Sequence, residues 1–211
     1  MKNLIIIGVG GFAREIYWHA QKSLGFGVDW RIKGFLDGDI KLSAAEYELL
    51  PEKVLGDVEN YKICADDVFT CAIGTPHARK VIIEKILARG GEFINLISEL
   101  AEIVPTASIG RGLIISPFVG VSERAQIGDF VAINAQTIIG HDANIGNFSC
   151  IMPHVAVSGG CKVGAEVFIG SGAVLLPKSK IGDGATVGAG CVVLKKVRAG
   201  KTIFGNPAIE L

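Results

Sequence analysis

Two places in the chain combine chemically capable residues with a spacing that stands out. The first is IIGHDANIG, residues 138 to 146, where His141 and Asp142 fall inside a run in which every sixth residue is aliphatic. An imidazole changes charge near neutral pH, and Asp142 is its neighbouring acid. The second is Gly8-Val9-Gly10-Gly11-Phe12-Ala13, a G-x-G-x-x-A loop between an apolar run and a helical pattern, with Asp37 following 29 residues after Gly8. Such a loop lets backbone amides at a helix N-terminus face a phosphate. The remaining histidines stand in blander settings: His19 and His77 fall on helical segments, and His154 has a different offset within the repeat from His141. Five cysteines, Cys64, Cys71, Cys150, Cys161 and Cys191, show neither CxxC nor other metal-ligand spacing. They read as reduced thiols, with no disulfide framework and no metal site.

The element that positions His141 is a six-residue repeat. From Ile103 to Val193 every sixth residue is Ile, Val or Leu, and four residues after each comes a second series running from Ala107 to Val197, small or β-branched apart from Leu113. A period of six fits neither a helix nor plain alternation. It fits short strands and turns wound about an axis, three hexads to an 18-residue coil, with each coil stacked on the next. The aliphatic residue points inward, and the glycine that often follows it is read as a turn residue.

The element that positions the glycine loop is a small α/β unit. Leu4 to Ile7 reads as a buried strand, the segment after the glycines as a helix, RIKGFLD as a second strand and DVFTCAIG as a third ending at Gly74. PHARKVIIEKILARGG reads as a helix with Pro76 near its start, and EFINLI as a final strand. The division is 1–98 for this Rossmann-like domain and 99–211 for the β-helix. A full dinucleotide fold needs a second βαβ half, which the repeat displaces, so NAD is disfavoured. Close helix-on-strand packing and a nucleotide-sugar site both remain open for the loop.

Composition narrows the class. Lys plus Arg (21) balance Asp plus Glu (21) in 211 residues, which gives no electrostatic footprint for nucleic acid or an anionic membrane. No apolar run reaches the ~18 residues of a membrane span, and the reading is a cytoplasmic protein with a small-molecule ligand.

With IGVGGFARE, GFLDGD, AIGTP, IIGHDANIG and GNPA on one chain, the sequence resembles the bacterial sugar acetyltransferases of the sialic acid O-acetyltransferase and nucleotide-aminosugar N-acetyltransferase type, within the hexapeptide-repeat acyltransferases. The resemblance implies a left-handed parallel β-helix, a homotrimer with active sites between subunits, acetyl-CoA as co-substrate and no metal. It implies N-acetylation of a UDP- or dTDP-linked 4-amino-4,6-dideoxy sugar for surface glycans. The alternatives are O-acetylation of sialic acid or a related sugar and, in another class, a non-catalytic scaffold or nucleotide-sugar-binding regulator. Carried over by motif, His141 is the general base and Asp142 its orienting acid. Gly170, Ser171, Gly188 and Ala189 lie along the pantetheine, and Cys150 falls where relatives commonly have His near the thioester. Gly10, Gly11, Phe12, Asp37, Gly38 and Gly74 fall on the sugar-nucleotide contacts.

Overall fold

The computed structural model describes residues 1–37 and 42–210. Gly38 lies outside them. In the small domain β1 (Lys2–Ile7), β2 (Trp30–Asp37), β3 (Val54–Asp57), β4 (Asp67–Cys71) and β5 (Glu92–Phe93) form one parallel sheet in the order β3-β2-β1-β4-β5. The apolar runs of β1 and β4 are buried because α1 (Gly11–Ala20) covers one face of the sheet and α3 (Pro76–Ala88) the other. Strand β3 and the short α2 (Ala44–Glu48), which Ser43 and Glu46 start with a reciprocal capping box, are absent from the sequence reading. The expected strand EFINLI is split. Glu92–Phe93 closes the small sheet, while Leu96–Ile97 pairs with Ile114–Ile115 as the first rung of the helix beyond it.

From Leu96 the described chain winds into a left-handed parallel β-helix with three sheets, its rungs two residues long except the last, Thr202–Phe204, which pairs antiparallel with Ile209–Glu210. The register is 18 residues: Ile139 pairs with Val121 below and Val157 above. The aliphatic series and most of the small series fill the prism interior. Interior hydroxyls are satisfied by carbonyls one corner on, as where Thr137 Oγ1 donates to Met152 O (2.9 Å) and Ser149 Oγ to Gly164 O (2.9 Å).

The glycines after the aliphatic residues have a different reason from the turn expected of them. The left-handed backbone lies two residues further on, at Gln136 (φ +59°), Asp142 (φ +57°) and His154 (φ +61°) among others. Each such residue costs about 1–2 kcal/mol. The cost is offset by a rung to the coil below, since the amide of Asp142 donates to Glu123 O (2.9 Å) and that of Gln136 to Pro117 O (3.1 Å). The glycines instead permit close stacking: a Cβ on Gly140 would lie 2.7 Å from the amide nitrogen of Gly159. The period also shortens near the end, where Lys196–Val197 pairs with Lys180–Ile181 at a 16-residue offset. Val197 thereby takes the inward place that strict counting assigns to residue 199.

The outward residues give the three faces different fates. Ile114, Ala132 and Cys150 of the first face are buried in a common core with Leu4, Ile6 and α1. Gly120, Ile138, Ala156, Val174 and Val192 make the second face apolar. Gln126, Asn144, Lys162, Lys180 and Lys196 make the third polar and basic. The domains are also locked at the corner between the third and first faces, where Phe93 of β5 meets Phe130 edge-on (5.5 Å, 83°), Phe130 in turn stacks on Phe148 (5.2 Å, 14°), and Lys80 pairs with Glu166 (2.7 Å).

Candidate active site

His141 and Asp142 sit at the corner between the apolar and the polar faces, just after Ile138–Ile139. The positive φ of Asp142 turns its carboxylate back alongside the imidazole, so that His141 Nδ1 lies 2.8 Å from Asp142 Oδ2. Neighbouring side chains usually diverge, and the corner geometry is what lets these two meet. Below them Arg124 donates through Nε to Asp142 Oδ1 (2.7 Å) and through Nη2 to Oδ2 (3.1 Å). The hydrogen bonds from Arg124 first and His141 second hold the Asp142 carboxyl down at about 2. The His141 side chain is two-thirds exposed, within reach of an approaching acceptor. An imidazole with Nδ1–H fixed on a carboxylate presents Nε2 as a proton acceptor.

Gly170, Ser171, Gly188 and Ala189 stack at another corner, between the docking and apolar faces. Their suitability for an amide-bearing ligand comes from what is left unbonded. At the corner between the polar and docking faces the equivalent amides of Arg111, Asp129 and Ala165 are capped by Asp129, Asn147 and Asp183 from the next coil. Among the described residues the amides of Ser171 and Ala189 donate to nothing, and they lie one coil, about 4.8 Å, apart. A Cβ on Gly170 would lie 2.5 Å from the Ala189 amide nitrogen, so this glycine keeps the two coils in that spacing.

Cys150 is not at that corner. Its thiol points out of the docking face into the small domain, fully buried, and burial pushes it up to about 11. His154 is exposed at the same corner as Ser171, and thus on a different edge from His141.

In the small domain the glycine loop lies at the carboxyl ends of β1 and β4. Gly8 adopts φ +113° and a Cβ there would lie 3.1 Å from Ala72 O. Gly10 caps α1 without any side chain, which leaves the first helix amides, those of Gly11 and Phe12, open to a ligand. Phe12 is half-buried against the core, and Gly74 borders the loop with open space around it. Asp37 ends β2 with Oδ1 buried and without a partner among the described residues, while Oδ2 accepts the hydroxyl of Tyr47 (2.5 Å). Hydrogen bonding to Asp37 raises the Tyr47 hydroxyl, keeping it a donor. Tyr47 and Arg124 are the contributors that motif reading missed. Arg124 was recoverable from the 18-residue register, whereas Tyr47 has no periodic signal.

Among the described residues no group of three or more His, Cys, Asp or Glu side chains is arranged to hold a metal ion, and no helix is long and apolar enough to cross a membrane.

Comparison with known proteins matches residues 3–86 to the PglD N-terminal domain, and residues 142–177 and 160–195 to the bacterial transferase hexapeptide (six repeats). UDP-N-acetylbacillosamine N-acetyltransferase from Bacillus subtilis (strain 168) is 29% identical over 117 residues, 54% of this chain and 51% of that enzyme, so the alignment spans about half the length of the curated relative. The acetyltransferase domain of PglB from Neisseria gonorrhoeae FA1090 superposes with a TM-score of 0.89 at 30% identity, covering 100% of both chains. A histidine-to-asparagine mutant of perosamine N-acetyltransferase from Caulobacter crescentus, in complex with CoA and GDP-perosamine, gives 0.87 at 25% identity over 100% of this chain and 97% of that one.

Proposed function

The chain belongs to the sugar acetyltransferases that join a PglD N-terminal domain to a hexapeptide-repeat β-helix, and we propose that it moves an acetyl group from acetyl-CoA to the amine of a nucleotide-linked amino sugar, with His141 as general base. The observation that carries the reading is the His141–Asp142 contact, 2.8 Å, at an exposed corner of an otherwise structural repeat.

In this reading acetyl-CoA supplies a thioester carbonyl as the electrophile. The sugar nitrogen forms the new C–N bond, the C–S bond breaks, and the amine proton goes to Nε2 of His141. Asp142 holds Nδ1–H and stabilises the imidazolium that results, and the same proton then returns to the departing thiolate. The open amides of Ser171 and Ala189 hold the pantetheine arm, and Gly170 and Gly188 keep that edge narrow. Gly10, Gly11, Phe12, Gly74 and the free Oδ1 of Asp37 take the nucleotide. In this reading Cys150 serves the packing of the two domains rather than the thioester end, which its burial and raised thiol support.

The site is completed by a second copy, and the assembly we propose is a homotrimer about the apolar face. His141 and Ser171 flank that face on opposite edges. One hexad of extended chain spans about 20 Å, so an acetyl group held at the Ser171 edge faces the His141 edge of a neighbour. Three copies packed through Ile138, Ala156, Val174 and Val192 bring those edges together.

The test is thiol release from acetyl-CoA with a panel of UDP-, dTDP- and GDP-linked 4-amino sugars and free sialic acid, for the wild type and His141→Ala. We expect turnover on one nucleotide amino sugar that falls about 10²–10⁴-fold in the variant. Turnover on sialic acid alone would replace the acceptor, and turnover untouched by the substitution would replace the base.

A further inference from the structure

We infer that Arg124 and Gly159, one coil below and one coil above His141, are positioning residues that fix its imidazole for proton transfer, an inference that rests on His141 being the base.

Below the imidazole, Arg124 and Asp142 are stacked at an 18-residue spacing on left-handed corner residues of nearly the same φ (+54° and +57°). The planar guanidinium takes both carboxylate oxygens, Nε on Oδ1 at 2.7 Å and Nη2 on Oδ2 at 3.1 Å. That fork fixes the torsion of a short, exposed side chain that would otherwise rotate freely. Oδ2 is thereby presented to His141 Nδ1 at 2.8 Å. Arg124 therefore acts on the proton acceptor Nε2 through Asp142, its side chain hydrogen-bonding to Asp142 and Glu123.

Above the imidazole, Gly159 makes room for the ring. The three atoms nearest to a Cβ built there are all imidazole atoms, Nε2, Cε1 and Cδ2 of His141. Gly159 does not have a positive φ, so its backbone accommodates alanine, and the nearest atoms the methyl group meets are those of the ring. The seat and the clamp thus remove the two motions left to an exposed histidine, tilt of the ring and loss of its carboxylate partner. The other charged groups around the corner are Glu123, which accepts from Arg124 Nη1 at 3.2 Å, and Lys178, whose Cγ packs beside Gly160.

The experiment compares wild type, His141→Ala, Arg124→Gln, Arg124→Lys and Gly159→Ala by kcat and KM for the acceptor found above. The same proteins, 15N-labelled at histidine, report which ring nitrogen carries the proton without any need for turnover. We expect kcat to fall about tenfold in Arg124→Gln and Gly159→Ala with KM within a factor of two. Arg124→Lys, a point charge without the fork, recovers only part of that loss. The Nδ1–H tautomer of His141 loses population in Arg124→Gln, and the ring signals move in Gly159→Ala. The Arg124 side chain is 62% exposed, so Arg124→Gln folds and is a fair probe even if Gly159→Ala does not. Wild-type kcat and an unchanged tautomer in Arg124→Gln, beside an inactive His141→Ala, overturn the inference and leave the base assignment standing. Wild-type turnover in His141→Ala overturns the base assignment and this inference with it.

Discussion

Arg79, on the first turn of α3, donates through Nε to the carbonyl of Phe130 (3.0 Å), tying the small domain to a corner of the β-helix. The guanidinium is fully buried, its Nη1 donates to Cys71 O at the end of β4, and Nη2 finds no acceptor among the described residues. A cation held this way serves carbonyls at the domain boundary. Arg79→Met leaves those two oxygens buried and unpaired at about 1–3 kcal/mol each, less what the orphaned Nη2 already costs. The expected net loss is about 2–3 kcal/mol, read as a lower urea midpoint. A midpoint equal to that of the wild type would show that the apolar contacts of the docking face and of Phe130 join the domains without help from Arg79.

Asp142 is expected to stay charged throughout the neutral and mildly acid range. The Asp142 carboxyl, with an ordinary value of 3.8, is held at about 2 by Arg124 and then His141. A depressed carboxyl contributes stability that is fully present above its unfolded value and lost as pH falls through its folded one. The clamp is thus intact throughout the range above about pH 4. The 13C signal of the Asp142 carboxyl is therefore expected to stay constant from about pH 7 to about pH 5 and to move only below about pH 4. A carboxyl signal that moves between about pH 5 and about pH 7 would show that Arg124 and His141 do not hold the charge in place.

The period of the β-helix was legible because one aliphatic residue per rung must face the interior, and Ile103 to Val193 obey that without exception. The conformation of the corners was not, since the left-handed positions are filled by residues as different as Phe118, Arg124, Asp142 and Lys178. Their backbone is imposed by the rung to the coil below rather than by their side chains. The last coil departs from the count for a related reason: a loop shortened by two residues moves Val197, the last member of the second series, into the place of the aliphatic one. In the small domain β3 went unseen because it is a short, partly exposed edge strand without an apolar run. Of the site, His141 was legible as an interruption of the repeat and Asp142 as its neighbour, while their contact depends on a φ the sequence does not display. The placement of Cys150 had a readable signal: it follows Ile114 and Ala132 at 18-residue steps on an outward column too apolar to face water.

The apolar face carries the last prediction. Its outward column is Gly120, Ile138, Ala156, Val174 and Val192, and Ile138 is half exposed in a single copy. Gly120 leaves a notch beside it, since a Cβ there would lie 3.0 Å from Ile138 Cδ1. An uncovered aliphatic column flanked on one edge by His141 and on the other by Ser171 is explained if the copies meet there. Ile138→Asp then places one carboxylate from each copy near a shared axis, where burial and mutual repulsion oppose assembly. The interior of the prism is untouched by this outward substitution, so the single chain still folds. Light scattering is expected to give the mass of one chain, 22.2 kDa, in place of three, and turnover is expected to fall at least a hundredfold because neither edge works alone. A monomeric variant with wild-type turnover would show that one copy holds the whole site.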